Sequence, residues 1–216
     1  MYNIAIMPRR SKDEAERTRA RILASALTLF VKNGYDRTTF TDIAERLKMT
    51  KGAVYWHFES KQALLIALVD EMLAAFERHT QELLPRNELT VEAMASMMVR
   101  EACEMMATPK FKDYFLLMHT QIRWGDATMD GVREDLLKNQ RFGPWHAFVR
   151  AVENDLRAGR VRSDADPEEV ACLFMSLWDG TVQAAINGFI SKEKVAGMLT
   201  HGFEAIRRSI ERPLAR

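Results

Sequence analysis

The stretch that decides the fold runs from Thr38 to Lys61 and reads TTFTDIAERLKMTKGAVYWHFESK. Apolar residues recur every three or four positions in its first half, which places them on one face of a helix. Thr39 and Asp42 have the spacing of a capping box, and Thr50 is a suitable cap for a second helix. The residues between these helices are too few for anything but a turn. The pattern predicts a helix-turn-helix.

The predicted second helix, residues 51–58, has an unusual outward face. It combines a glycine, a tyrosine, a tryptophan and a histidine, which a face that meets only water rarely carries. Gly52 disfavours a helix by about 1 kcal/mol relative to alanine, so we expect the backbone there to approach another molecule closely. Lys51, Tyr55 and His57 have donors that bind phosphate oxygens. An ordinary helical hairpin with a partly buried aromatic helix is the alternative.

The sequence from Arg17 to Phe76 resembles the DNA-binding domain of the TetR family of one-component transcriptional regulators. The most distinctive match is GAVYWHF at 52–58, followed by Lys61 and Leu64. A long first helix that ends at Gly34 and the pairs at 38–39 and 43–44 complete the pattern. The resemblance covers about the first third of the chain. It implies that the second helix of the motif enters the major groove of DNA.

The predicted fold is all-α, with about nine helices in a three-helix helix-turn-helix head and a helical-bundle body. We predict a flexible basic arm at 1–15, a TetR-type DNA-binding domain at 16–76 and a ligand-binding and dimerisation domain at 77–216. The helix-turn-helix itself occupies about 39–58. Outside it, we predict helices at 13–33, 61–84, 90–107, 110–124, 129–156 with a kink or break at Gly143-Pro144, 167–190 and 192–211.

The charge of the chain is unevenly distributed. Residues 1–61 carry 12 Lys and Arg against 7 Asp and Glu, whereas residues 62–216 carry 19 against 23. A basic head on an acidic body suits a protein that binds phosphate at one end. No apolar run approaches the ~20 residues of a membrane span, and we expect a cytoplasmic protein with reduced thiols at Cys103 and Cys172 and no membrane partner.

The residues predicted to contact a double-stranded DNA operator follow from the resemblance and from the outward face of the second helix. Phosphate contacts are assigned to the flanks of the motif and base reading to the start of the second helix. The predicted set is Arg37, Thr38, Thr39, Thr50, Lys51, Gly52, Ala53, Tyr55, Trp56, His57 and Lys61.

The body is rich in methionine and aromatic residues, which would suit a broad pocket for apolar compounds. A helical bundle needs an apolar core in any case, so the same residues also fit a packed interior. Asp179, inside an apolar run, would favour a cationic ligand if it is buried. The predicted ligand-binding residues are Met94, Met98, Phe111, Phe115, Met118, Gln121, Phe142, Trp145, His146, Met175, Trp178 and Asp179.

The resemblance implies a homodimer formed through the last two helices, which reads a palindromic operator. It also implies a repressor that a small apolar or cationic effector releases, of the kind that controls multidrug efflux. We predict no cofactor and no metal, because the five histidines form no close ligand pair. An enzyme is disfavoured because the chain has no phosphate loop or nucleophile elbow. A thiol redox sensor and a ligand-independent DNA-binding factor, both on the same scaffold, are the alternatives.

Overall fold

The computed structural model describes residues 12–83, 89–138 and 143–211, and within these ranges the chain forms ten α-helices. The all-α prediction is therefore confirmed, with one helix more than expected. The same ranges contain no strand, only an isolated bridge between Val161 and Glu211. The helices are α1 Lys12–Asn33, α2 Phe40–Leu47, α3 Lys51–His57, α4 Lys61–Leu83, α5 Val91–Met106, α6 Pro109–Leu116, α7 Asp130–Lys138, α8 Gly143–Arg157, α9 Pro167–Ile186 and α10 Lys192–Ile210.

One predicted helix was too long, and the predicted interruption of another is a break. The helix expected at 110–124 ends at Leu116 and continues as a π-helical turn, Leu117–Gln121. The stretch expected at 129–156, with a kink or break at Gly143-Pro144, is two helices, α7 and α8, and Pro144 lies in the first turn of α8. A proline needs no hydrogen-bond acceptor in a first turn, so it begins a helix there instead of kinking one.

The predicted helix caps of the motif are present. Thr39 accepts a hydrogen bond from the backbone N–H of Asp42, and the Asp42 carboxylate accepts one from the backbone of Thr39, which completes the capping box. The Thr50 hydroxyl caps α3 through the backbone N–H of Ala53. Gly34 ends α1 with a φ of +94°, a conformation that glycine adopts without strain. Local sequence is therefore sufficient to place these helix ends.

Two apolar cores hold the described residues together. The first surrounds the helix-turn-helix, with Ile22, Phe30 and Ile43 at its centre, and continues into Leu117 and Val132 of the body. The second lies among α5, α8, α9 and α10. The first core therefore includes residues well beyond residue 76, where the end of the DNA-binding domain was predicted. The division into domains stays a prediction.

The last two helices pack closely on each other. A side chain added at Gly202 of α10 would lie 2.3 Å from Leu177 Cδ2 of α9. Leu199 and Phe203 face the interior of the chain. On the outside, Leu173 of α9 is 47% exposed and Met198 of α10 is 43% exposed. Part of the apolar surface of these helices is thus left uncovered.

Candidate DNA-binding surface and effector pocket

Much of the outward face of α3 is exposed to solvent. Tyr55 and Trp56 are 50% and 70% exposed, although large aromatic side chains are usually buried. The Tyr55 ring packs edge-on against Phe40 of α2, with 4.8 Å between ring centroids. The Trp56 ring packs edge-on against the His57 ring, with 4.5 Å between ring centroids. Both rings are held in place on the surface, so they form a pre-organised contact face.

Gly52 is not required by the packing of the protein itself. A Cβ at this position would meet only the Thr50 hydroxyl within 4 Å, at 3.9 Å. The space beside the glycine lies outside the molecule, next to the exposed Lys51. This geometry fits the expectation that another molecule approaches the start of α3 closely.

Two residues of the predicted DNA-contacting set, Thr38 and Lys61, have contacts that the sequence did not predict. Thr38 is 1% exposed, and its hydroxyl donates to the carbonyls of Leu29 and Gly34 at 3.2 and 2.9 Å. That hydroxyl is therefore occupied inside the head and does not face a phosphate. These contacts do not favour the predicted phosphate contact of the Thr38 side chain.

Lys61 is likewise engaged within the protein. Its ammonium group donates to the carbonyls of Tyr35, Asp36 and Thr38 at 2.9, 3.1 and 3.3 Å. It also lies 4.5 Å from the centroid of the Tyr35 ring. Desolvation lowers the pKa of Lys61, and the Asp36 charge raises it. Lys61 therefore holds the loop between α1 and α2, and its predicted role as a phosphate contact at the start of α4 does not fit these contacts.

The rest of the predicted set remains available. Arg37, Thr39, Thr50, Lys51, Gly52, Tyr55 and Trp56 are exposed, and Ala53 and His57 are half-buried. Hydrogen bonds from the backbone and hydroxyl of Thr39 lower the pKa of Asp42. Asp42 therefore stays ionised and holds the start of α2.

A cavity of about 930 Å³ lies in the body, lined by residues of α4, α5, α6, α7, α8 and α9 together with the segment that follows α6. This volume is within the range of pockets for small molecules. The wall includes seven of the twelve residues predicted to bind a ligand: Phe111, Phe115, Met118, Trp145, Met175, Trp178 and Asp179. The methionine and aromatic content of the body therefore reflects a cavity as well as a core.

Four of the other five predicted ligand-binding residues are described by the structure, and none of these four lines the cavity. Met94 and Met98 are 0% and 2% exposed within the second core. The Gln121 side chain lies beside Gly34 of the head, and His146, half-buried on α8, is not among the residues that line the cavity. Phe142 lies outside the described residues. Periodicity alone could not distinguish core methionines from wall methionines, because both occupy apolar helix faces.

Sequence reasoning missed the contribution of α4 to the cavity. Val69, Met72, Leu73 and Ala75 line it, and none of them is in the predicted ligand-binding set. The apolar residues of α4 cover a wide stripe of the helix surface, and this width was the sequence signal that could have indicated a cavity wall. Tyr114 was also missed; burial raises its pKa, and the Glu71 charge raises it further.

Aromatic rings and one carboxylate define the inner wall. Phe111, Phe115 and Trp178 lie with ring centroids 6.2 to 6.3 Å apart. His119 stacks on Phe115 at 4.0 Å, and its Nε2 lies 3.7 Å from Asp179 Oδ1. Burial raises the pKa of Asp179, and the nearby His119 lowers it. The wall can therefore hold a flat apolar molecule with a polar or positively charged end beside Asp179.

Comparison with known proteins agrees with this geometry. Residues 22–68 match the family model of bacterial regulatory proteins, tetR family. The chain is 28% identical to the HTH-type transcriptional regulator TtgR of Pseudomonas putida over 82% of this chain and 84% of that protein. It is 33% identical to the HTH-type transcriptional regulator TtgW of the same organism, over 50% of this chain and 77% of that protein. The structure of a SmeT–triclosan complex superimposes with a TM-score of 0.73 at 23% identity, covering 91% of this chain and 93% of that one.

The fold and these relatives define a helix-turn-helix DNA-binding regulator rather than an enzyme. The chain belongs to the tetR family of bacterial regulatory proteins. In the part of the chain that the structure describes, no helix is long and apolar enough to cross a membrane.

Proposed function

We propose that this protein is a homodimeric repressor that binds a near-palindromic operator and is released by a small apolar or cationic compound in the body cavity. The observation that carries the proposal is the course of α4. Its first residue, Lys61, holds the α1–α2 loop of the head, and its later residues Met72 and Leu73 line the cavity. One helix therefore joins the ligand-binding wall to the DNA-binding motif.

A ligand shifts such a protein only by its different affinity for two conformations. In the proposed mechanism, a compound that fills the cavity favours a tilted position of α4. The two heads of the dimer then no longer match half-sites about 34–36 Å apart. DNA is released without any contact between the ligand and the operator.

The proposed DNA-contacting residues are the exposed or half-buried members of the predicted set. Base reading is assigned to the start of α3, at Thr50, Lys51, Gly52 and Ala53, with Trp56 against sugar or a thymine methyl. Phosphate contacts are assigned to the others. That group is Arg37, Thr39, Tyr55 and His57.

The proposed ligand is a flat, apolar compound, neutral or with a single positive charge. The aromatic wall supports the apolar part, and the half-buried Asp179 supports the cation. SmeT, a structural neighbour, is the repressor of the Stenotrophomonas maltophilia multidrug efflux pump SmeDEF. We propose by analogy that the genes under control here include an efflux system.

The experiment that tests this function selects an operator from a random DNA duplex library. We expect an inverted repeat, and an affinity that falls by about 10³-fold or more between 50 and 200 mM salt if two heads make six or more phosphate contacts. Triclosan and a set of aromatic cations should then weaken operator binding. A flat salt response, or a selected site without symmetry, would contradict the proposal.

The homodimer is proposed to form through the exposed faces of α9 and α10. A Leu173→Glu substitution would bring two charges into an apolar interface, so we expect dimerisation to weaken at least about tenfold. Ser96→Glu on the exposed side of α5 is the matched control and should leave the dimer intact. Sedimentation velocity measures both. A dimer unchanged by Leu173→Glu would place the interface elsewhere.

A thiol redox sensor on the same scaffold is the alternative. Cys103 and Cys172 are both free and exposed, so neither is explained as a core packing residue. Operator binding that peroxide leaves unchanged would exclude this alternative. The third possibility, a factor without a small ligand, is disfavoured by the cavity of about 930 Å³ in the body.

A further inference from the structure

The π-helical turn Leu117–Gln121 lies between the cavity and the DNA-binding head. On one side, Met118 and His119 line the cavity. On the other, Leu117 is fully buried in the core that surrounds the helix-turn-helix, and Ile122, just after the turn, is 6% exposed in the same core. The turn also packs against α1. The turn therefore contributes residues both to the wall of the cavity and to the interior of the head.

A residue that follows this turn contacts the loop that leads into the helix-turn-helix. Arg123 Nη2 lies 2.9 Å from Asp36 Oδ2, an ion pair between residues 87 positions apart in the chain. Asp36 belongs to the α1–α2 loop, and its carbonyl accepts a hydrogen bond from Lys61 of α4. The loop that leads into the helix-turn-helix is therefore held from two sides, by α4 and by the segment after the π-helical turn.

We infer that the π-helical turn and the Arg123–Asp36 pair form a second route of communication between cavity and head, separate from the movement of α4. A π-helical turn holds one more residue per hydrogen-bonded ring than an α-helix. If a ligand against Met118 and His119 converts it to α-helical geometry, the residues after it shift by one position, about 1.5 Å along the axis and 100° around it. Arg123 then loses Asp36, and the α1–α2 loop keeps only its contact with Lys61.

The inference rests on the proposed function, because it needs a ligand in the cavity. It predicts a limited effect, since Arg123 and Asp36 have side chains that are 75% and 57% exposed. Exposed ion pairs shift an equilibrium by at most roughly fivefold. The Arg123–Asp36 contact is proposed to form only in the ligand-free form that binds the operator. Its share of the coupling free energy between ligand and DNA therefore cannot exceed the free energy of the contact itself.

The test measures operator affinity with and without a cavity probe. The probe is N-phenyl-1-naphthylamine, a neutral aromatic dye whose fluorescence increases in an apolar pocket. The operator is the duplex selected as described above. The quantity compared is the ratio of the operator dissociation constant with the dye to that without it. In the wild-type protein this ratio should exceed one. In Arg123→Gln we expect that ratio to fall roughly two- to fivefold, while the dye still binds the free protein.

The matched control is Asp126→Asn. Asp126 Oδ2 is the other carboxylate near Arg123, at 3.5 Å, but it lies in the body and not in the head. This variant should keep the wild-type ratio. Asp36→Asn should reduce the ratio as Arg123→Gln does, and the double variant should be no worse than the larger single effect.

The outcomes separate the inference from the function on which it rests. If the wild-type ratio is one, the ligand-responsive function fails, and the second route fails with it. If the wild-type protein responds and Arg123→Gln keeps the full ratio, only the second route is overturned, and α4 alone carries the signal. An equal loss in Asp126→Asn would also overturn it, because the effect would then come from the local charge and not from the contact with the head.

Discussion

Replacing Lys61 with methionine should lower operator affinity about tenfold or more and lower the free energy of unfolding by about 1–3 kcal/mol. The substitution keeps the apolar stem of the side chain but removes the ammonium group. The carbonyls of Tyr35, Asp36 and Thr38 then lose a shared charged donor. The α1–α2 loop positions α2, so its loosening should reach the DNA-binding surface.

The salt dependence of this variant distinguishes a structural clamp from a phosphate contact. Losing a phosphate-binding lysine reduces the slope of log affinity against log salt by about one. We expect the slope of Lys61→Met to equal that of the wild type, because its ammonium group is bound to backbone carbonyls. A slope reduced by about one, with unfolding unchanged, would restore the sequence-based interpretation of Lys61 as a phosphate contact.

Lys51→Met is the matched control for this experiment. Lys51 is exposed at the start of α3, and its ammonium group lies 5.6 Å from the centroid of the Tyr55 ring. Its loss should leave the free energy of unfolding within about 0.5 kcal/mol of the wild type. It should instead relax the sequence preference of the protein, which a repeated selection on random DNA would measure.

The second large effect concerns the body. Phe174→Ala should destabilise the protein by about 3–5 kcal/mol, because a fully buried ring leaves a cavity that the neighbouring helices cannot close. Phe174 stacks on Phe148 with 4.7 Å between ring centroids and lies 4.9 Å from the ring of Phe203. These three rings join α8, α9 and α10, so their loss should loosen the whole bundle.

Phe189→Ala is the control for the same change of residue type. Phe189 follows α9 and is 82% exposed, so its truncation removes little buried surface. We expect its unfolding free energy within about 0.5 kcal/mol of the wild type. Chemical denaturation at one fixed protein concentration compares the two, since a dimer's stability depends on concentration. Equal losses in both variants would show that Phe189 is buried in solution by an unidentified contact.

Much of the head was predictable because its signals are local. The capping box of Thr39 and Asp42, the cap at Thr50 and the stop at Gly34 each depend on residues within a few positions of one another. The spacing of apolar residues likewise depends only on the helical period. The exposed face of α3 follows from the same periodicity once the inward Val54 is known.

The chain by itself thus determined the all-helical fold, the helix-turn-helix and the membership of the family. Only the tertiary structure decided which groups of the opening stretch are exposed and which are engaged inside the protein. The Thr38 hydroxyl donates to a carbonyl 9 residues away, and the Lys61 ammonium group donates to carbonyls 23 to 26 residues away. No local sequence pattern predicts such contacts. The cavity and the Arg123–Asp36 pair were likewise not predictable. Side chains of the same type can lie in a core, line a cavity or form an ion pair, and the packing of helices distant in sequence decides which.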